Sequence, residues 1–342
     1  MSSEIEVKMM VERGTYTMLK NLIDSIGLHV VKEESLRLSN FYYDTPKLEL
    51  QQNGIALRVR KTNKDYEMTI KTKTQGVSDN GGVHIHPEYN VKLYEKPSVP
   101  NLLLFPKEIF ANINLPLVQS ELNENMSQEC IRHVLLLSNK KQGDGECFVV
   151  EVCFDEILYK SKNNNSISSK EVEFELKVGT LRALELFVNK FLDICSQNGK
   201  DIRVRLGTLS KMYRAAIYAG IADVPNGIAC PDVDPNNLLE SIKKLWRCFD
   251  SNENEYLFLE NFSALDNLKY CINTFANLLN SMDLDNVEED YRHPLVLLKS
   301  ILVGVYLETW NSVDNIDLTK RLLAFPPFVK SRLAMNFAAI KQ

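Results

Sequence analysis

The chain has 342 residues, is 44% hydrophobic and 25% charged, and carries a formal net charge of −5. That length suits about two domains with a sizeable core. The mildly acidic balance excludes a general attraction to nucleic acid or to an anionic membrane, so any anion site must come from local clustering of cations.

Glu4, Glu6 and Lys8 alternate with Ile5, Val7 and Met9, so residues 4–10 read as a strand with one charged and one apolar face. Residues 15–26 read as an amphipathic helix stopped at Gly27. Extended runs follow at 28–43, 55–61, 65–74 and 86–95, then a turn-rich stretch around Pro97 and Pro100. Strands return at about 129–138, 147–160 and 169–178, with "KNNN" at 162–165 as a hairpin loop. Thr180 is placed to N-cap a helix, and "LGTLSKMYRAAIYAG" holds another. Residues 223–237 combine Pro, Gly, Asn and Asp and read as a linker. Beyond it the pattern is helical at 236–249, 254–281, 293–311 and 316–341, with Trp246, Tyr256 and Trp310 as core residues. Strands in one half and helices in the other predict an α+β protein of two units, residues 1–222 and 236–342, joined by 223–235.

The acidic start of the chain does not read as a secretory signal. The most apolar run, "HPLVLLKSILVGVYLETW", is interrupted by Lys299 and flanked by Arg292 and Glu308, which suits a buried helix rather than a bilayer span. The seven cysteines show no paired spacing and no C-x-x-C, which argues against a zinc ribbon and fits a reducing cytoplasm. Cys153 reads as a small buried or lining residue.

Charged faces recur along the strands. Arg58 and Arg60 share one face, as do Glu67, Thr69, Lys71 and Lys73 on the next strand. Glu88, Asn90 and Lys92 share another, Glu151 and Asp155 another, and Glu171, Glu173 and Glu175 the last. An open sheet would turn these faces to water as cross-strand ion pairs. A closed barrel would turn them inward as a polar cavity with a carboxylate wall and a cationic wall. Clustered carboxylates without Cys or His suit Mg²⁺ or Mn²⁺, and Arg and Lys suit phosphate oxygens. Together they are equipment for phosphoryl transfer, and no Walker A sequence is present.

The E-x-E-x-K of Glu4, Glu6 and Lys8, followed by R-x-R at Arg58 and Arg60, resembles the CYTH domain of the triphosphate tunnel metalloenzymes. The resemblance continues through "YYDTP" at 42–46, "YEMTIK" at 66–71, "HPEYNVKL" at 86–93, "EVEFEL" at 171–176 and "GTLSK" at 207–211, covering roughly residues 1–220. It is similar in particular to bacterial inorganic triphosphatases in which a helical CHAD domain follows. The resemblance implies an eight-stranded antiparallel β-barrel tunnel with flanking helices. It implies metal ligation by Glu4, Glu6, Asp155, Glu171 and Glu173, and triphosphate binding by Arg58, Arg60, Lys71, Arg132 and Lys211. Glu88 and Lys73 would support them, and Lys8 would face the substrate or the attacking water.

Two departures stand out. His86 occupies a place where relatives are expected to carry Arg, and with His84 it raises the alternatives of a metal pair or a loop-edge role. The region 235–342 is short for a CHAD domain and lacks its His- and Arg-rich helices, so it reads as a CHAD-like or divergent bundle.

The expected reaction is hydrolysis of inorganic triphosphate to pyrophosphate and phosphate with two divalent ions. Glu171 or Glu173 would position the water, with Lys8 as the alternative proton acceptor. The rival readings are a hydrolase or cyclase acting on an organic triphosphate such as thiamine triphosphate or ATP, a non-catalytic polyphosphate or nucleotide binder, and a scaffold with a solvated sheet. Oligomeric state is not legible in the sequence.

Overall fold

The computed structural model describes residues 2–63, 65–73, 82–139, 147–160, 166–197 and 201–340. In chain order the elements are β1 (Ser2–Arg13), α1 (Tyr16–Asp24), β2 (His29–Asp44), the single turn α2 (Glu49–Gln52), β3 (Ile55–Thr62), β4 (Asp65–Thr72), β5 (Val83–Leu93) and α3 (Leu115–Glu121). Next come β6 (Asn123–Ser138), β7 (Val149–Lys160), β8 (Ser166–Val178), α4 (Leu181–Gln197), β9 (Arg203–Leu206) and α5 (Lys211–Tyr218). Helices follow: α6 (Leu238–Leu259), α7 (Phe262–Ser281), α8 (Glu289–Ile301), α9 (Gly304–Ser312), α10 (Ile316–Leu323) and α11 (Pro326–Ile340).

The strands run antiparallel in the order β5-β4-β3-β2-β6-β7-β8-β1, and β1 returns to β5, which closes an eight-stranded barrel. β1 is the seam. One edge pairs with β8; the other pairs with β5 over Ser2–Val7 and with β9 over Met9–Arg13. Closure sends each strand's two faces to opposite destinations. Val7, Met9, Val152, Val172 and Phe174 share a core with Leu19 and Ile23 of α1 and Leu184, Val188 and Phe191 of α4. Leu57, Val59, Met68 and Ile70 pack under Leu102, Phe105, Phe110 and Val118. The charged faces are left to line the interior, and at one end Ala215 and Ala216 of α5 pack on Tyr42, Met126, Ile157 and Tyr159.

The local stops follow the sequence chemistry. Thr15 caps α1 by accepting from the Met18 N–H, and Gly27 sits at φ +87° beyond its end. Thr180 Oγ1 accepts from the Ala183 N–H at the start of α4.

Three expected helix limits differ. The polar stretch 250–254 was expected to interrupt a helix, yet α6 runs through it and stops at Glu260, which has φ +51°. Asp250, Asn252 and Glu253 are buried there and find partners in Arg332, the Ile228 carbonyl and Arg205. The expected helix 293–311 breaks before Gly304 at φ +56°, and the expected helix 316–341 breaks where Pro326 starts α11. The expected loop at 162–165 lies outside the described residues.

Helix α11 joins both cores. Val329, Leu333 and Phe337 belong to the barrel core, while Phe328, Met335 and Ala338 belong to the bundle core with Phe249, Phe275 and Trp310. A charged relay runs alongside, from Glu12 of β1 to Arg205 of β9 (2.6 Å), to Glu253 of α6 (3.4 Å), to Arg332 of α11 (2.8 Å) and back to Asp250 of α6 (2.5 Å). A chain cut near residue 225 would lose these partners and uncover the part of the barrel core that Val329, Leu333 and Phe337 complete. Such a fragment is expected to partition to the insoluble fraction. Recovery of a soluble, monodisperse fragment would show that the barrel does without α11. Among the described residues no helix is long and apolar enough to cross a membrane.

Candidate functional site

The acidic wall follows from strand register. Asp155 of β7 stands opposite Glu171 of β8, and Glu173 of β8 stands opposite both Cys153 of β7 and Lys8 of β1. Residues paired this way point to the same side of the sheet. Carboxylate oxygens of Asp155, Glu171 and Glu173 converge within 4.8 Å of one another, all three buried. Lys211, at the start of α5, reaches all three, at 2.6 Å from Asp155, 2.5 Å from Glu171 and 2.8 Å from Glu173. Arg132 of β6 donates two bonds to Asp155 (2.7 and 2.6 Å) and one to Glu173 (2.8 Å). Arg214 closes the far side through Glu171, the Tyr159 hydroxyl and the Leu209 carbonyl.

The electrostatics follow. Burial works against every charge here, but the partners prevail. Arg132 and Lys211 hold Asp155 down to about 2 and Glu173 well below the ordinary carboxylate range. Burial likewise opposes the Lys211 charge, and Asp155, Glu171 and Glu173 overcome it.

Glu4 and Glu6 stand apart from this trio. Lys71 joins Glu4 to Glu88, the latter at 3.3 Å. Lys8 lies 3.1 Å from Glu6 and 3.5 Å from Glu173, and so bridges the two acidic groups. Despite its burial, Glu6 and Glu173 raise the Lys8 pKa, so it keeps its proton at neutral pH. Lys73 lies just past the end of β4, exposed. His84 is buried with Nε2 3.4 Å from the Gly207 carbonyl, and burial, then Lys8, pushes it down to about 3, so it stays neutral. His86 Nδ1 lies 3.2 Å from the Thr72 carbonyl.

Arg58 and Arg60 differ from the other cations. Among the described residues no carboxylate lies at ion-pair distance from either, while Lys8, Lys71, Arg132 and Lys211 all have one. Arg58 donates to Thr69 Oγ1 (3.2 Å), and its Nε is buried without a partner. Arg60 Nε donates to Asn40 Oδ1 (2.8 Å). Burial and then the charges of Arg58 and Arg132 push the Arg60 pKa down to about 10. Two partly buried guanidinium groups with neutral partners are equipped to take an anion.

Arg214 and Asn40 are site residues that the motifs did not point to, whereas Thr69 and Asn90 stand on the charged faces read from the sequence. Arg214 had a signal: it follows Lys211 by three positions, the spacing that puts two side chains on one helix face.

Glu175 pairs with Glu6 and Glu151 across the strands. Burial, then Glu4, raises its pKa to about 7. A carboxyl with a raised folded pKa supports the fold fully below its unfolded value and loses that support as pH rises through about 7. Glu175→Gln is therefore expected to raise the melting temperature at pH 8 in metal-free buffer and to leave it unchanged at pH 4. Equal effects at both pH values would contradict this.

A separate cleft of about 430 Å³ opens beyond the seam, with Glu12, Arg13, Lys170, Arg205, Asn254 and Lys320 on its walls. Arg214 also lines it, so the cleft adjoins the charged cluster on the side away from Asp155 and Glu173.

The CYTH domain family matches residues 2–201, more than half of the chain. The chain belongs to the CYTH family. The inorganic triphosphatase of Haemophilus influenzae is 31% identical over 160 residues, 46% of this CYTH protein and 41% of that one. The chain thus spans about two fifths of the length of the curated relative it matches. Among solved structures, a Hippeastrum protein described as having a dominant triphosphatase activity is 18% identical, over 63% of this chain and 96% of its own, with a TM-score of 0.45. A Pyrococcus horikoshii protein is 15% identical, over 61% of this chain and 98% of its own, with a TM-score of 0.34.

Proposed function

We propose that this CYTH protein hydrolyses inorganic triphosphate to pyrophosphate and phosphate inside its barrel. The observation that carries the reading is the pairing, in one closed barrel, of Arg58 and Arg60, which have no carboxylate partner among the described residues, with the convergent carboxylates of Asp155, Glu171 and Glu173. A solvated scaffold has no use for either arrangement, and a plain anion binder has no use for the carboxylates. The inorganic triphosphatase relative supports the choice of substrate.

The acidic group fits a divalent cation. The Lys211 ammonium lies 2.5–2.8 Å from all three carboxylates, so a positive centre is already accommodated at their meeting point. Three hard oxygen donors without His or Cys suit Mg²⁺ or Mn²⁺. Asp155, Glu171 and Glu173 would hold it, with Glu4 and Glu6 for a second ion. Such ions would neutralise phosphate oxygens and acidify a water.

The chain's own groups do the rest. Arg58 and Arg60 bind phosphate oxygens, and Arg132 and Lys71, each held by a carboxylate, present charge in fixed directions. Lys8 keeps its proton, so it serves as a cation rather than as the base. Glu171 or Glu173 orients the attacking water for in-line displacement of pyrophosphate. We also propose the division into residues 1–222, a linker at 223–235 and a CHAD-like or divergent bundle at 236–342.

The test is phosphate release from tripolyphosphate with Mg²⁺ and with Mn²⁺, beside ATP and thiamine triphosphate. Metal-dependent release, fastest from tripolyphosphate, is expected. Faster release from an organic triphosphate would move the assignment to that substrate. Tight binding without turnover would make the barrel a sensor.

A further inference from the structure

Among the described residues outside the barrel, one cluster of ligating side chains is left without a role. The sulfurs of Cys230, Cys248 and Cys271 all lie within 4.8 Å of one another. They come from three segments: Cys230 from the linker, Cys248 from α6 and Cys271 from α7. No C-x-x-C announces them, because folding rather than sequence proximity brings them together. Cys248 and Cys271 are fully buried, 3.1 Å apart at sulfur, and Cys230 is half-buried. We propose that Cys230, Cys248 and Cys271 form a three-thiolate site for a soft divalent cation of the zinc class.

The geometry suits that ion. Zinc–thiolate bonds of about 2.3 Å place neighbouring sulfurs about 3.8–4.0 Å apart. The Cys248 and Cys271 sulfurs, 3.1 Å apart, would have to open by somewhat under ~1 Å to reach that spacing, and the Cys230 sulfur lies within 4.8 Å of both. The surroundings are those of a ligand shell. Asn252 Nδ2 lies 3.4 Å from the Cys248 sulfur and Thr274 Oγ1 lies 3.9 Å from the Cys230 sulfur. Asn252 Nδ2 also donates to the Ile228 and Cys248 carbonyls, and Thr274 Oγ1 accepts from the Cys230 thiol while donating to the Tyr270 carbonyl, so polar groups that hold the backbone also surround the sulfurs. The half-buried Cys230 gives solvent an entry path and room for a fourth donor. Softness separates this site from the oxygen-lined barrel, so the two select different metals.

The consequence is a clasp. The linker is already laid along α6 by Asn252 Nδ2 donating to the Ile228 carbonyl (2.7 Å) and by the Gly227 N–H donating to Glu255 (2.5 Å). A bound ion would lock that segment to the α6–α7 hairpin, next to the junction of bundle and barrel.

The experiment uses the full chain, reduced with a phosphine under anaerobic conditions and titrated with Co²⁺ alone. A near-ultraviolet thiolate-to-cobalt band saturating at about one equivalent is expected, and Zn²⁺ should bleach it. Carboxylate-bound Co²⁺ in the barrel gives no such band. Cys248→Ser and Cys271→Ser should abolish it and Cys147→Ser should keep it. Because the two core variants risk misfolding, Cys230→Ser on the linker is the decisive one, with an expected affinity loss of at least ~10-fold. The proposal is overturned by no band at any Co²⁺ concentration, by an undiminished band in folded Cys230→Ser, or by a Cys248–Cys271 disulfide that persists in the reductant and excludes metal.

Discussion

Replacing Arg60 with Met is expected to lower kcat/KM for tripolyphosphate by ~10²–10³, the usual cost of removing one preorganised group that stabilises transition-state charge. The melting temperature should stay level or rise. The two expectations point in opposite directions because Arg60 is held against its own interest in the unliganded protein. It is partly buried, it faces Arg58 and Arg132, and its pKa is pushed down to about 10. Its only described polar partner is the neutral Asn40. Removing the guanidinium relieves repulsion and sacrifices one hydrogen bond. Bound triphosphate reverses the balance, so protection of the native state by tripolyphosphate should be weaker in the variant. A parallel fall in activity and melting temperature would mean that Arg60 is a structural residue.

Asp155→Ala is expected to do the reverse and destabilise the fold by ~3–5 kcal/mol, the scale for breaking a buried ion pair from one side. Asp155 is fully buried and takes bonds from both Arg132 and Lys211. Its loss leaves two buried cations facing each other, with Glu173 and Glu171 to satisfy them. Denaturant unfolding measures the change directly; a loss below ~1 kcal/mol, the range of exposed pairs, would show that the cluster is open to water. The pH dependence adds a second check. The folded pKa of Asp155 is held down to about 2, below the unfolded value, so its stabilisation is complete above the ordinary carboxylate range. That stabilisation is lost as pH falls towards about 2, and Asp155→Ala should lack this part of the acid unfolding profile.

Period two persists in six strands with the same division of faces, which left an open sheet and a closed barrel as alternatives. Alternation placed Glu4, Glu6, Lys8, Arg58, Arg60, Lys71, Asp155, Glu171 and Glu173 on the charged faces, and the CYTH resemblance turned them inward. What alternation cannot show is who pairs with whom. Lys211 stands among the acidic residues because α5 folds back onto the barrel, and Arg214 accompanies it one turn later. The bundle was read less well for a related reason. "DSNEN" is polar enough to suggest a loop, yet α6 continues because Arg332 and Arg205 arrive from distant segments to meet Asp250 and Glu253. β9 escaped notice because its four residues, Arg203–Leu206, are too few to set a period, and it needs the free edge of β1. The three convergent cysteines lie in separate segments, and only the packing of α6 on α7 and the linker joins them.

The seam position of β1 governs how the protein can be made. β1 emerges from the ribosome before every strand it pairs with, and the core its apolar face joins is finished only when Val329, Leu333 and Phe337 arrive with α11, which packs against α4, β9 and β5. Contacts so distant in sequence close slowly. Until α11 is synthesised, the core that holds Val7 and Met9 is incomplete, and transiently exposed apolar surface is what makes such species prone to aggregation. Polypeptides aborted within the bundle therefore carry a barrel core that lacks Val329, Leu333 and Phe337.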